Sequence, residues 1–125
     1  MLLVDLIEAN PKTKFILFHG GFPWIGETGV IVMRHGAEPW EELAVKLMLK
    51  WPGLYYMTSA FAPKYYPKAI IDYANTRGAD KIMFAGYYPM GLSLERIFAE
   101  LPQVPFRDHV WPKFLRDNAV RVFGL

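Results

Sequence analysis

Three apolar runs constrain what this 125-residue chain can become. Phe15-Ile16-Leu17-Phe18 stops abruptly at His19-Gly20-Gly21. Leu54-Tyr55-Tyr56-Met57-Thr58 gives way to Ser59, and Lys81-Ile82-Met83-Phe84-Ala85 ends at Gly86-Tyr87-Tyr88-Pro89. None alternates apolar with polar residues as a half-solvated strand would. Runs of this length read as strands covered on both faces, the kind found in parallel sheets. The expected strands lie near 14–18, 54–58 and 81–85.

Helical patterns fill the intervals. Leu2, Leu3, Leu6 and Ile7 mark one face of a short helix that Asn10-Pro11 stops. Glu38-Pro39-Trp40-Glu41-Glu42 has proline for a first helical position and carboxylates for the positive end of the dipole. Apolar residues then recur at helical spacing to Lys50, before Trp51-Pro52-Gly53. Pro67 opens a further helix with Gly78 as its stop, and Leu92 to Glu100 forms another. Phe106 to Phe123 carries a helical pattern that is expected to break near Trp111-Pro112. Residues 22–37, with Gly26, Gly29 and Gly36 around Val30-Ile31-Val32-Met33, read as helix. Strands alternating with helices imply right-handed crossovers, an α/β class and one domain over 1–125.

Composition narrows the function classes. Fourteen basic and 12 acidic residues leave a net charge of +2, with no basic run, so nucleic acid is not an expected partner. No apolar run reaches the length of a membrane span, and Met1-Leu2-Leu3-Val4-Asp5 lacks the basic start of a secretory signal. No membrane partner and a cytoplasmic location are expected. The absence of cysteine excludes disulfides and thiolate metal sites. Aromatic residues make up 16% of a short chain, which would leave rings exposed in a free monomer. The chain is expected to self-associate as a homo-oligomer or to be a piece of something larger.

In parallel α/β folds the loops after the strands carry the chemistry. His19 stands at such a place and could act as a general base or a metal ligand, or simply hydrogen-bond its own loop. His35 and His109 read as structural or surface residues. No His-x-His, phosphate-binding glycine loop or nucleophile elbow occurs. Tyr87 and Tyr88 also follow a strand, where a phenol can donate a hydrogen bond or pack over the strand ends. Trp40, Trp51, Trp111 and Phe114 read as core or interface.

Several of these strings resemble the amidohydrolase-related family. They are Phe15-Ile16-Leu17-Phe18-His19-Gly20-Gly21-Phe22-Pro23-Trp24, Trp51-Pro52-Gly53-Leu54-Tyr55-Tyr56-Met57-Thr58-Ser59, and the stretch Tyr73 to Pro89. The ending Leu115-Arg116-Asp117-Asn118-Ala119-Val120-Arg121-Val122-Phe123 looks like the family's closing helix. The family includes decarboxylases of aminocarboxymuconate semialdehyde and γ-resorcylate. Its fold is a (β/α)8 TIM-type barrel with a divalent metal at the C-terminal mouth of the strands.

The resemblance implies that this chain is the C-terminal part of such a barrel, strands six to eight. The family's His-x-His and its strand-five histidine would lie upstream of Met1. His19 matches the strand-six histidine, which works near the metal. Tyr87 stands where the family's strand-eight motif, Phe-Gly-Ser/Thr-Asp-Tyr-Pro, has its aspartate, and a neutral phenol is a poor ligand. Residues 26–40 also make a longer connection than the family's.

The implied chemistry is metal-assisted hydrolysis or decarboxylation of a small carboxylate or aromatic substrate in a complete barrel. His19 and Tyr87 are the expected catalytic residues, and Trp24 and Tyr88 the expected substrate contacts. This chain alone is expected to bind no cofactor and to be inactive. A divalent metal such as zinc is expected only with the upstream half present. The alternatives are a non-catalytic half-barrel that self-associates through two unpaired strand edges, and a metal-independent binder of small ligands.

Overall fold

The computed structural model describes residues 2–18, 40–89 and 91–125. Helix α1 (Leu2–Ala9) is followed by β1 (Phe15–Phe18), α2 (Trp40–Lys50) and β2 (Leu54–Met57). Then come α3 (Lys68–Thr76), β3 (Ile82–Met83) and α4 (Leu94–Glu100). Helix α5, residues 110–123, joins α-helical Val110–Pro112 and Asn118–Phe123 through a π-helical stretch, Lys113–Asp117. The helix expected within residues 22–37 lies outside the described residues.

The sheet has the order β1-β2-β3 and both pairings are parallel, as the apolar runs predict. Phe15 pairs with Leu54 and Phe18 with Met57, while Tyr56 pairs with Ile82. Strand β3 is shorter than the expected 81–85. Strand β2 turns away after Thr58, where Ala60 takes a φ of 69°, and Ala85 is left without a strand to pair with.

Alternation along the strands gives the sheet two different faces. Leu17, Leu54, Tyr56 and Ile82 share one face and are buried. They join a core with Ala44, Met48, Ile70, Ala74, Val110 and Phe114 from the helices. The opposite row contains Ile16, Phe18, Tyr55, Met57, Lys81 and Met83. Here only Met83 is fully buried, and Phe18 is 58% exposed. The runs therefore alternate in burial where two-sided cover was expected. A wall of three strands covers one side with its own helices, but does not curl far enough to cover the other.

The helix ends follow local chemistry. Ser93 caps α4 by accepting the Arg96 amide at 3.2 Å. Gly78 ends the α3 segment because of a close approach: a Cβ there would lie 2.3 Å from the Tyr73 ring. Pro112, expected to interrupt the last helix, occupies its first turn, where an amide has no intrahelical acceptor to lose.

Candidate functional site

The C-terminal ends of the strands are brought together by the parallel register. Phe18, Met57 and Met83 end their strands side by side. Immediately beyond Met57, Thr58 is fully buried, and its amide donates to the Met83 carbonyl at 3.1 Å. Its side chain, on the helix-facing parity, donates to the Tyr66 hydroxyl at 3.2 Å. Ser59 is buried beside it. This loop end is thus fastened both to the neighbouring strand and to the turn Pro63–Tyr65 that precedes Tyr66.

Burial dominates the electrostatics here. It pushes the Tyr66 phenol up to about 12, against the opposing effect of the Thr58 hydrogen bond. Burial likewise raises the Tyr56 phenol, with the Glu41 carboxylate adding to the effect. Among the described residues, the Tyr56 hydroxyl is buried without a hydrogen-bond partner. All three hydroxyls stay neutral near pH 7. They can donate or accept hydrogen bonds but are poor bases.

After β3 the chain runs through Phe84, Ala85 and Gly86 to Tyr87 at the same end of the sheet. Tyr87 is half-buried against the core. Tyr88 precedes a cis proline and is 71% exposed, so its ring is not held over the strand ends. His19 and Trp24 lie outside the described residues, as does His35. His109 is the exposed residue before α5, in keeping with its reading as a surface histidine. Phe114 is core, while Trp51 and Trp111 pack partly buried against it.

Among the described residues, no group of three His, Cys, Asp or Glu could hold a metal ion. Tyr87, after β3, carries a phenol, which is a poor ligand for a divalent ion beside carboxylate or imidazole. Among the described residues, no helix is long and apolar enough to cross a membrane. The Thr58–Tyr66 pair escaped the sequence reading because Tyr66 reaches Thr58 only through the folded loop. Its one sequence signal is a polar residue in the helix-facing parity of an apolar strand.

Comparison with known proteins places this architecture. A family model described as amidohydrolase matches residues 1–125. The crystal structure of the uncharacterized TIM-barrel protein Bb4693 from Bordetella bronchiseptica is similar, with a TM-score of 0.75 at 20% identity. The similarity covers 98% of this chain and 38% of that one, so this chain spans well under half of that barrel protein. No curated protein matches.

Proposed function

The chain belongs to the amidohydrolase family, and from that premise we propose that it supplies strands six to eight of a barrel that turns over a small carboxylate or aromatic substrate. The reaction is hydrolysis or decarboxylation. His19 is the acid–base residue, since an imidazole is the one side chain whose ordinary pKa lies close to neutrality. Tyr87 donates a hydrogen bond to the substrate, with Trp24 and Tyr88 lining its entry. Any divalent metal, zinc being the simplest, is held by groups from outside this chain. Without them this chain alone is inactive.

The observation that carries this reading is the position of Tyr87. It follows β3 at the sheet end where the Thr58–Ser59 loop also emerges, and both flank the end of the sheet at which barrels of this kind do their chemistry. The test is turnover of a panel of small aromatic acids and their amides by a complete barrel containing this chain. His19→Ala should abolish turnover, and Tyr87→Phe should slow it by about 10-fold to 100-fold, the loss of one hydrogen bond to a developing charge. Unchanged turnover in His19→Ala would refute the assignment.

A second reading, a non-catalytic half-barrel, is favoured by one observation. The Lys81 and Met83 carbonyls face β2, so the Ile82 carbonyl and Phe84 amide face the outer edge of β3. Both are already bonded to α5, by Asn118 Nδ2 at 2.8 Å and the Phe114 carbonyl at 2.9 Å. An edge satisfied in this way resists the addition of another strand.

A further inference from the structure

In a parallel ladder, a bonded residue donates its amide to the residue before the one it faces and accepts from the residue after it. Tyr56, which faces Ile82, does this on the β2 side of β3, its amide donating to the Lys81 carbonyl at 2.9 Å. On the other side, a strand residue facing Met83 would donate to the Ile82 carbonyl and accept from the Phe84 amide. Helix α5 takes both places. Asn118 Nδ2 donates to the Ile82 carbonyl at 2.8 Å, and the Phe114 carbonyl accepts the Phe84 amide at 2.9 Å. One side-chain amide and one backbone carbonyl thus reproduce the donor and acceptor of a single strand residue.

This substitute is firmly held. Asn118 is fully buried and uses both Nδ2 hydrogens, the second on the Ala79 carbonyl at 2.6 Å. Arg121 donates to its Oδ1 at 3.2 Å, which fixes the orientation of the amide. Phe114 is buried as well, its ring set against those of Tyr66, Phe84, Phe106 and Trp111. A strand added here would make two hydrogen bonds and break two, leaving a buried amide and a buried carbonyl unpaired. Such an exchange brings no gain.

The β1 edge is the opposite case. Phe15 faces Leu54 and donates to the Gly53 carbonyl at 2.8 Å, so the amides and carbonyls of Ile16 and Phe18 point away from β2. No described residue hydrogen-bonds to them there. The topology says what fits. Ile7 lies in the shared core with Leu3 and Val4 packed against it, so α1 covers the same face of the sheet as α2 and α3. With these helices on one face, right-handed crossovers advance the sheet in one direction, from β1 to β3. A parallel strand leading into α1 therefore belongs on the free side of β1. This chain spans 38% of the similar barrel protein, which leaves the remainder of a barrel to supply that strand.

We propose that α5 keeps its place in a complete barrel, and that the rest of the barrel pairs with this sheet through a parallel strand at β1 alone. The barrel then carries a seam beside the strand from which Tyr87 emerges, held by Asn118 and Phe114 instead of a ladder. The inference rests on the barrel fold and not on the proposed reaction.

Amide exchange and hydrogen-bond couplings, measured by nuclear magnetic resonance on the 125-residue chain and on a complete barrel containing it, test the proposal. In the chain, the Phe84 amide should couple to the Phe114 carbonyl and exchange slowly. The Ile16 and Phe18 amides should exchange about 100-fold faster than that of Leu17, which faces β2. In the barrel the Phe84 coupling should persist. There the Ile16 and Phe18 amides should slow by about 100-fold and gain couplings to carbonyls from outside this chain. A Phe84 amide coupled to a carbonyl of another strand would overturn the inference, because α5 would have yielded the edge. So would Ile16 and Phe18 amides that stay fast in the barrel. Protection of those two amides that rises with the concentration of the chain alone would assign β1 to a second copy, paired antiparallel about a two-fold axis, and would overturn it too. None of these readouts requires turnover, so an inactive barrel leaves them in force.

Discussion

The Phe84 amide donates to the Phe114 carbonyl at 2.9 Å, and the two rings meet nearly perpendicular with centroids 5.8 Å apart. The π-helical stretch makes this bond available. The Asn118 amide, which would bond Phe114 in a regular α-helix, reaches Lys113 instead. The released carbonyl turns to the sheet. One irregular turn of α5 thus closes the outer edge of β3 and fixes the strand from which Tyr87 emerges.

Asn118 completes that closure. It is fully buried, and its Nδ2 donates to the Ala79 and Ile82 carbonyls at 2.6 and 2.8 Å, while Arg121 donates to its Oδ1. Asn118→Leu keeps the branching of the side chain and removes both donated bonds. It should destabilise the fold by about 3 kcal/mol, two buried carbonyls losing their donors. Urea denaturation measures the change; a loss below about 0.5 kcal/mol would show that water replaces the amide without cost.

The Tyr56 and Tyr66 hydroxyls should respond in opposite ways to removal. Tyr56 buries its hydroxyl without a partner among the described residues, so Tyr56→Phe should leave stability unchanged or raise it by about 1 kcal/mol. Tyr66 accepts from Thr58, so Tyr66→Phe should cost about 1 kcal/mol. Thermal melts of the two variants, made side by side, decide it. A destabilised Tyr56→Phe would reveal a partner for that hydroxyl.

Alkaline stability should fall in a defined window. Burial raises the Tyr66 phenol from 10.0 to about 12, and raises those of Tyr56 and Tyr73 as well. A folded-state pKa above the unfolded one contributes stability that is intact below pH 10. That contribution is lost as pH rises through about 12. Lys81, whose pKa burial lowers, acts in the opposite sense, its unfavourable contribution fading as pH rises towards 10.5. Tyr66→Phe should make the decline above pH 10 shallower. Urea midpoints across this range test it, and an unchanged slope would count against the burial effect.

Much of this fold was legible in the sequence because its signals are local. Phe15–Phe18 and Leu54–Met57 form strands where the runs stand, and Trp40 begins its helix directly after Pro39. The misses are non-local. The length of β3 depends on where β2 turns away, and the passage of α5 through Pro112 depends on where the helix begins. The closure of the β3 edge depends on a carbonyl of Phe114, thirty residues on from Phe84. The two open edges expected from a three-stranded sheet are reduced accordingly. At the site, the strand-end position of Tyr87 was legible from the stretch Phe84–Pro89. The exposure of Tyr88 was not, because consecutive residues beyond a strand can point anywhere.

The proposed function has this chain holding part of an amidohydrolase mouth, with the metal ligands supplied from elsewhere. Calorimetric titration of zinc into the 125-residue chain and into His19→Ala tests it most directly. One imidazole and one phenol fall short of the three protein groups that a tight divalent site uses. The two titrations should therefore be indistinguishable, both weak and without defined stoichiometry. Stoichiometric binding at about micromolar affinity by the unaltered chain, abolished in His19→Ala, would show instead that the metal site is complete within this chain.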